Sequence, residues 1–226
     1  IRIKVLQLLY SKTTGKIDNK SLLKHFELST QNFYKFFLTQ IILFKEIFNE
    51  SNRFVDLNEK KYFKKDSKKI KELFSENTML KSLDSDKFLI KLLEKYKLNY
   101  WTKNINKVQN IFKEILNSEF FVDYSKDQNF FIQDVYKNLI ASNDELFNFY
   151  EDCEIGWVDD FPLVNTIVLN WLINSSINNS TQIPTKVFKD RSDKKFGKEL
   201  FKIAVKDDKN IQDLINEYTP DWDNDR

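Results

Sequence analysis

The scarcity of turn-forming residues is the feature that most constrains the fold of this chain. Its 226 residues include three glycines and three prolines, so tight hairpins and glycine-rich loops have almost no material from which to form. Leucine, lysine and glutamate, which favour helices, are abundant instead. Because 41% of the residues are hydrophobic, a chain of this length can bury a core. The sequence therefore predicts an all-α fold, a multi-helix bundle.

Apolar residues recur at steps of three and four along most of the chain, which is the period of an amphipathic helix. Polar breaks in this pattern set the ends of the predicted helices. The predicted helices cover residues 1–10, 20–48, 67–74, 86–96, 105–117, 127–141, 145–150, 160–173, 192–203 and 209–218. Residues 174–185 are rich in Asn and Ser and include Pro184, so this segment is interpreted as a linker.

Positive charge is concentrated in residues 60–71, where seven lysines accompany Asp66 as the single acid. Lysines interleaved with Tyr62 and Phe63 could follow a nucleic-acid backbone, because they displace its condensed counterions. A solvated helix face explains the same residues, and the cluster contains no arginine and no known motif. The second interpretation is favoured for this segment.

Residues that support catalysis or metal binding are sparse. His25 is the single histidine, so a histidine metal site or a catalytic triad would lack its other members. Cys153 is the single cysteine, which excludes an internal disulfide and fits a reducing cytoplasm. Acids adjoin this cysteine on both sides, at Asp152 and Glu154, and nothing nearby would lower its pKa. We expect an exposed His25, a structural or exposed Cys153, no enzyme activity and no cofactor.

Paired carboxylates are the remaining candidates for metal binding. Asp159 and Asp160 directly precede an apolar helix, where acids cap free N–H groups and interact with the positive end of the helix dipole. Capping is therefore favoured over Mg²⁺ binding at this pair. The acids of residues 221–225 imitate the start of a calcium loop but lack its glycine and closing glutamate. No phosphate loop or dinucleotide fingerprint is present, and no metal site is predicted.

No apolar run approaches the roughly 20 residues that a membrane-spanning helix needs. The longest candidate, residues 36–44, is interrupted by Thr39 and Gln40. The sequence therefore predicts a cytoplasmic protein without a membrane partner. The chain begins without Met, so we expect further residues upstream of Ile1.

The first ten residues contain the most specific pattern in the sequence. Arg2, Gln7, Leu9 and Tyr10 fit the arrangement R-x-x-x-x-Q-x-L-Y. This segment resembles the first helix of the NusB family of bacterial transcription antitermination factors. The resemblance resumes in residues 196–226, which look like the family's third helix and the junction that follows it.

Residues 155–172 are similar to a stretch typical of the larger NusB proteins, which have a long helical insertion. The resemblance implies NusB-like N-terminal helices at residues 1–48, an insertion at residues 49–191, and a third helix and junction at residues 192–226. The family continues into a C-terminal helical half, which we expect beyond Arg226. A core face left open by that half would favour self-association, so the resemblance allows a homo-oligomer.

The resemblance also implies a function. NusB proteins bind boxA, a single-stranded element of ribosomal RNA transcripts, together with the ribosomal protein NusE, and take part in the RNA polymerase antitermination complex. Arg2 matches the last arginine of the family's basic motif, a phosphate or base contact, and Tyr10 matches a tyrosine at the RNA-facing surface. Lys4 adds charge beside them. Eight residues separate Arg2 from Tyr10, about 12 Å along a helix axis, so one RNA segment could contact both.

Three functional hypotheses remain open on the sequence. The first is the antitermination factor. The second is an RNA-targeting domain of a ribosomal RNA methyltransferase, which would need a downstream cofactor domain that this sequence does not contain. The third is a structural helical scaffold, which would not bind boxA RNA. Separately, helix periodicity alone favours Leu6, Leu9 and Tyr10 as core residues.

Overall fold

The structure is a computed structural model that describes residues 1–15, 18–59, 64–122, 124, 127–178, 181–184, 192–206 and 208–219. All regular elements in these ranges are helical and none is a strand, which confirms the predicted all-α class. Among the residues described, no helix combines the length and the hydropathy needed to span a bilayer.

The helices follow one another with short connections. Their bounds are α1 (Arg2–Gly15), α2 (Asn19–Glu59), α3 (Lys64–Ile70), α4 (Thr78–Ser85), α5 (Lys87–Tyr96), α6 (Tyr100–Lys103), α7 (Ile105–Asn117), α8 (Glu119–Val122), α9 (Gln128–Val135), α10 (Asp144–Cys153), α11 (Phe161–Asn178), α12 (Ser192–Lys206) and α13 (Asp208–Tyr218). Helices α3 and α9 continue as π-helical turns over Lys71–Ser75 and Tyr136–Ile140, and a 3₁₀ turn covers Ile155–Trp157.

Two helices are longer than the apolar pattern predicts. Helix α2 continues past Phe48 to Glu59 because Ser51 and Val55 are buried on its inner side. Helix α11 continues to Asn178, so the predicted linker begins too early in the sequence. Ser175 is buried, and the Gln133 side chain donates a hydrogen bond to Ser176 Oγ at 3.0 Å. These tertiary contacts outweigh the weak helix preference of the Asn and Ser residues.

The chain divides into two compact units. The first comprises residues 1–31 and 186–226, and the second comprises residues 32–185. Helix α2 contributes its first part to one unit and the remainder to the other. The three segments inferred from the NusB resemblance have other boundaries and stay a prediction.

The first unit has a small core made by three helices. It consists of Val5 and Leu8 from α1, Leu22 and Phe26 from α2, and Phe201 from α12. The pairs from α1 and α2 are three and four residues apart, and Leu200 and Val205 of α12 pack against the core beside Phe201, so each helix presents one apolar side to the others. Helix α1, the first part of α2 and helix α12 thus share one core.

The core of the second unit is rich in aromatic rings arranged around α2. Trp157 stacks on Phe36 with ring centroids 4.8 Å apart and an interplanar angle of 9°. Its indole N–H donates to the Asn32 carbonyl oxygen at 3.0 Å. Trp101 likewise donates to the Thr39 carbonyl oxygen at 2.7 Å. Both indoles therefore combine apolar burial with a satisfied donor, as buried tryptophans require.

A buried polar cluster joins three elements of the second unit. Tyr136 donates a short hydrogen bond to the Gln40 side chain, whose amide N–H donates to Asn165 Oδ1 at 2.9 Å. The Asn165 amide donates in turn to the Ala141 carbonyl oxygen at 3.0 Å. Ala141 follows the second π-helical turn, and its N–H bonds to the Tyr136 carbonyl oxygen at 2.8 Å. The cluster thus satisfies a carbonyl at the end of the irregular helix, and burial raises the pKa of the Tyr136 hydroxyl.

Candidate nucleic-acid interface

Helix α1 has one buried side and one exposed side. Val5 and Leu8 lie in the core, and Leu9 packs against it while remaining half-buried. Leu6 and Tyr10, in contrast, are 67% and 66% exposed. Leu6 and Tyr10 are therefore surface residues, contrary to the core role that helix periodicity alone favours for them.

The exposed side of α1 brings the predicted contact residues together. Arg2, Ile3, Leu6 and Tyr10 are all exposed, and at about 100° per residue they cover roughly one quadrant of the helix. We call these four residues the α1 outer face. Lys4 is half-buried and projects about 200° from Arg2 around the axis, so it lies on another side of the helix.

The α1 outer face contains two residues that the sequence did not assign to it. Ile3 and Leu6 lie between the predicted contacts Arg2 and Tyr10, and 59% of Ile3 is exposed. No sequence signal separates them from the buried Val5 and Leu8, because apolar residues occupy most of this helix. Their exposure depends on which side of α1 meets α2 and α12.

Helix α12 gives the first unit a lysine-rich surface. Lys194 and Lys198 both pair with Glu27 of α2, the first at 3.2 Å and the second in a shorter contact. These hydrogen bonds, first from Lys198 and then from Lys194, lower the pKa of the Glu27 carboxyl. Lys202 and Lys206, further along α12, are exposed. The first unit therefore presents positive charge from α12 in addition to Arg2 of α1.

The basic cluster at residues 60–71 is described only in part. Residues 60–63 and the side chains of residues 64–66 lie outside the described residues. Lys69 donates to the Val122 carbonyl oxygen at 2.6 Å and lies 5.3 Å from the centroid of the Phe121 ring. This lysine therefore stabilises the packing of α3 on α8, and the choice between a solvated helix face and a nucleic-acid contact for residues 60–71 stays a prediction.

No metal centre is formed by the residues that the structure describes, since no group of three or more His, Cys, Asp or Glu side chains could hold an ion. Asp160 is buried, and its carbonyl oxygen accepts the first bond of α11 from Val164 N at 2.9 Å. The acids of residues 221–225, as well as Trp222 and Arg226, lie outside the described residues.

A polar cleft of about 50 Å³ lies between α7 and the start of α10. Glu114 and Lys107 line it, together with the α10 cap Asn143 and with Glu145. Burial, and then the charge of Glu145, raise the pKa of the Glu114 carboxyl. The cleft has room for a few water molecules, and its lining includes no Ser, Thr, Cys or His side chain.

His25 is exposed as the sequence predicts, whereas the expectation that nothing near Cys153 would lower its pKa is wrong in one respect, because the charge of Lys107 lowers it and is outweighed by other effects. His25 is exposed on α2. Cys153 is half-buried at the end of α10. Burial, followed by the charge of Asp152, raises the pKa of the Cys153 thiol to about 11. The thiol is consequently protonated at neutral pH and unsuited to nucleophilic catalysis.

The raised pKa predicts slow, strongly pH-dependent alkylation of Cys153. With a pKa of about 11, the thiolate fraction increases about tenfold for each unit by which the pH is raised, as long as the pH stays below the pKa. Because only the thiolate reacts, the alkylation rate should increase in the same proportion. We expect the rate with iodoacetamide, corrected for the reagent's own pH dependence, to increase through pH 8, 9 and 10 without levelling. A plateau beginning below pH 9 would contradict the described environment.

No protein-family model, curated protein or solved structure matches this chain. The resemblance to NusB therefore rests on the residues of the sequence, and the contact residues Arg2, Lys4 and Tyr10 stay predictions.

Proposed function

We propose that this chain is an RNA-binding transcription antitermination factor of the NusB type. It acts on boxA of ribosomal RNA transcripts together with the ribosomal protein NusE, within the RNA polymerase antitermination complex in the cytoplasm. The observation that supports this proposal best is the exposure of Arg2 and Tyr10 on one side of α1. It acts by binding, without catalysis and without a cofactor.

The chemistry of the α1 outer face suits single-stranded RNA. The Arg2 guanidinium can form paired hydrogen bonds with a phosphate or with the edge of a guanine. Tyr10 offers an exposed ring on which an unpaired base can stack. Leu6 lies between them on the same side of the helix and extends the apolar surface that a base can cover.

The position of α1 within the first unit also supports the proposal. Its inner side packs against α2 and α12, and this packing holds the α1 outer face in a defined position within the unit. The exposed lysines of α12 belong to the same unit. Their charge favours approach of a polyanion and makes the affinity depend on salt.

Substitution of Arg2 and Tyr10 tests the proposal. Tyr10→Ala should weaken binding of a boxA oligonucleotide by about 1–3 kcal/mol, roughly 5- to 150-fold, by removing one stacked base. Tyr10→Phe should retain most of the affinity, because the ring remains. Arg2→Ala should also weaken binding, and should reduce the slope of log K against log salt by about 0.7 for one lost phosphate contact. Fluorescence anisotropy over a salt series measures both quantities.

Lys24→Ala supplies the matched control, because Lys24 is an exposed cation of α2 in the same unit. Its effect should stay within twofold. The scaffold hypothesis gives a different result: no binding of boxA by the wild-type chain at any salt concentration. If neither Arg2→Ala nor Tyr10→Ala changes the affinity for boxA, the RNA binds elsewhere on the molecule and the assignment of the α1 outer face is overturned.

A further inference from the structure

Helix α11 is unusual for its lack of charge. Its 18 residues, Phe161–Asn178, contain no Asp, Glu, Lys or Arg, whereas 31% of the whole chain is charged. A helix that is hydrophobic on all sides is usually buried on all sides, whereas α11 combines apolar residues with uncharged Asn, Thr and Ser. Helix α11 is buried on one side only, so its other side needs an explanation.

The most buried and the most exposed residues of α11 lie on opposite sides of the helix. Val164, Val168, Leu172 and Ser175 are buried, at steps of three and four. The opposite side consists of apolar and uncharged polar residues, which we call the α11 outer face. Its members are Leu163, Thr166, Ile167, Asn170, Ile173, Asn174 and Ile177. Of these, Leu163 is 46% and Ile177 is 72% exposed, whereas Ile167 and Ile173 are half-buried.

The α11 outer face is symmetric about Asn170, which lies near the middle of the helix. Leu163 and Ile177 lie seven residues before and after it. Aliphatic side chains also occur three residues to either side, at Ile167 and Ile173. Uncharged polar side chains occur four residues to either side, and these are Thr166 and Asn174.

Such a pattern matches itself when a second, identical helix packs in the opposite direction. A two-fold axis through the helix midpoint brings each residue opposite the one at the same distance on the other side of that midpoint. Leu163 then contacts Ile177 of the second copy, and Ile167 contacts Ile173 of the second copy. Thr166 can hydrogen-bond with an asparagine amide, and Asn170 meets its own counterpart.

We infer that the α11 outer face is a self-association surface, on which α11 of a second copy of this chain packs antiparallel. The occupant follows from the chemistry of the face. RNA would need cations, and α11 contains none. Two copies of an uncharged helix, in contrast, approach without electrostatic repulsion and without leaving a charge buried. This association involves residues of the second unit and is independent of the RNA-binding proposal.

The size of the surface sets the expected strength of the dimer. One pair of helices of this length buries less than the roughly 800 Å² per partner of a standard interface. The dimer should therefore be weak, with a Kd in the micromolar-to-millimolar range. The experiment must accordingly reach protein concentrations of several hundred micromolar.

Sedimentation equilibrium of the full chain between low micromolar and several hundred micromolar concentrations tests this inference. The wild type should show an average mass that rises from 27.2 kDa towards twice that value. Asn170→Lys should remain at the monomer mass, because two like charges would meet at the axis. Asn148→Lys, the same change at an exposed asparagine of α10, should associate like the wild type. A monomeric wild type, or an Asn170→Lys variant that associates unchanged, overturns the inference.

Two mixing experiments then test the antiparallel arrangement itself. Asn170→Lys and Asn170→Asp should each be monomeric and should associate when mixed, because opposite charges then face each other. In a Cys153→Ser background, Asn170→Cys should form a disulfide-linked dimer under mild oxidation. Leu163→Cys should form one efficiently only after mixing with Ile177→Cys. Efficient crosslinking of Leu163→Cys alone would show a parallel arrangement and overturn the proposed geometry.

Discussion

Replacing Trp157 with alanine should lower the free energy of unfolding of the second unit by about 3–5 kcal/mol, the usual cost of truncating a buried tryptophan. Trp157 is fully buried. Its ring stacks on Phe36 with centroids 4.8 Å apart and forms an edge-to-face pair with Tyr150 with centroids 6.3 Å apart. The truncation would leave a cavity among rings that cannot close around it. Whole domains are stable by only about 5–15 kcal/mol, so the variant should lose a large part of its stability.

Two further variants separate the parts of this effect. Trp157→Phe keeps an aromatic ring but removes the hydrogen bond to the Asn32 carbonyl oxygen, so a smaller loss of about 1–2 kcal/mol is expected. Phe130→Ala truncates an aromatic residue of the same unit that is 57% exposed, and should change the stability by less than about 0.5 kcal/mol.

Urea unfolding followed by far-ultraviolet circular dichroism measures these differences without depending on the fluorescence of the removed indole. Equal losses for Trp157→Ala and Phe130→Ala would contradict the described core. The loss of stability in Trp157→Ala should also accelerate amide hydrogen exchange in α10 and α11, which belong to the same unit.

Local signals explain how much of the fold the sequence could predict. The predicted start at Asp86 matches a helix that begins at Lys87, because the Asp86 side chain accepts hydrogen bonds from Phe88 N at 2.7 Å and Leu89 N at 3.2 Å. Capping of this kind involves neighbouring residues only, so it can be recognised in a single sequence. Helix α7 was predicted from another local signal, its apolar stripe, and the predicted bounds match the observed Ile105–Asn117.

Features that depend on distant contacts could not be predicted. The extension of α11 through Ser175 and Ser176 relies on burial against α9. The π-helical turn before Ala141 brings a carbonyl to Asn165, which is far away in the sequence. Propensity and periodicity report neither contact, since both are properties of local sequence.

The candidate site shows the same division between local and distant information. The resemblance places Arg2 and Tyr10 on one helix, and eight residues of helix bring them to neighbouring sides. Whether Tyr10 is exposed or buried is decided by Phe201 and Leu22, which occupy the opposite side of α1. Those residues belong to helices that the sequence alone does not place against α1.

The close approach of the three helices in the first unit explains the presence of a glycine within α12. A Cβ at Gly197 would lie 2.5 Å from the Phe26 ring and 2.8 Å from the Ile1 side chain, and both distances are too short for carbon atoms in contact. Phe26 is fully buried, so its ring has little space in which to move. Glycine usually weakens a helix by about 1 kcal/mol relative to alanine, and close packing is the physical reason for it here.

Gly197→Val should therefore destabilise the first unit by about 2–3 kcal/mol, because overpacking displaces Phe26 and α1. Gly197→Ala should cost less, since improved helix propensity offsets part of the strain. Gly156→Ala is the matched control, because a Cβ there meets no atom within 4 Å. Hydrogen exchange should quicken in α1 and α12 of Gly197→Val but not in α7, which belongs to the second unit. Unchanged exchange in α1 would contradict the described packing. If the α1 outer face binds RNA, Gly197→Val should also weaken boxA binding although Arg2 and Tyr10 are both retained, because displacement of α1 moves their side chains.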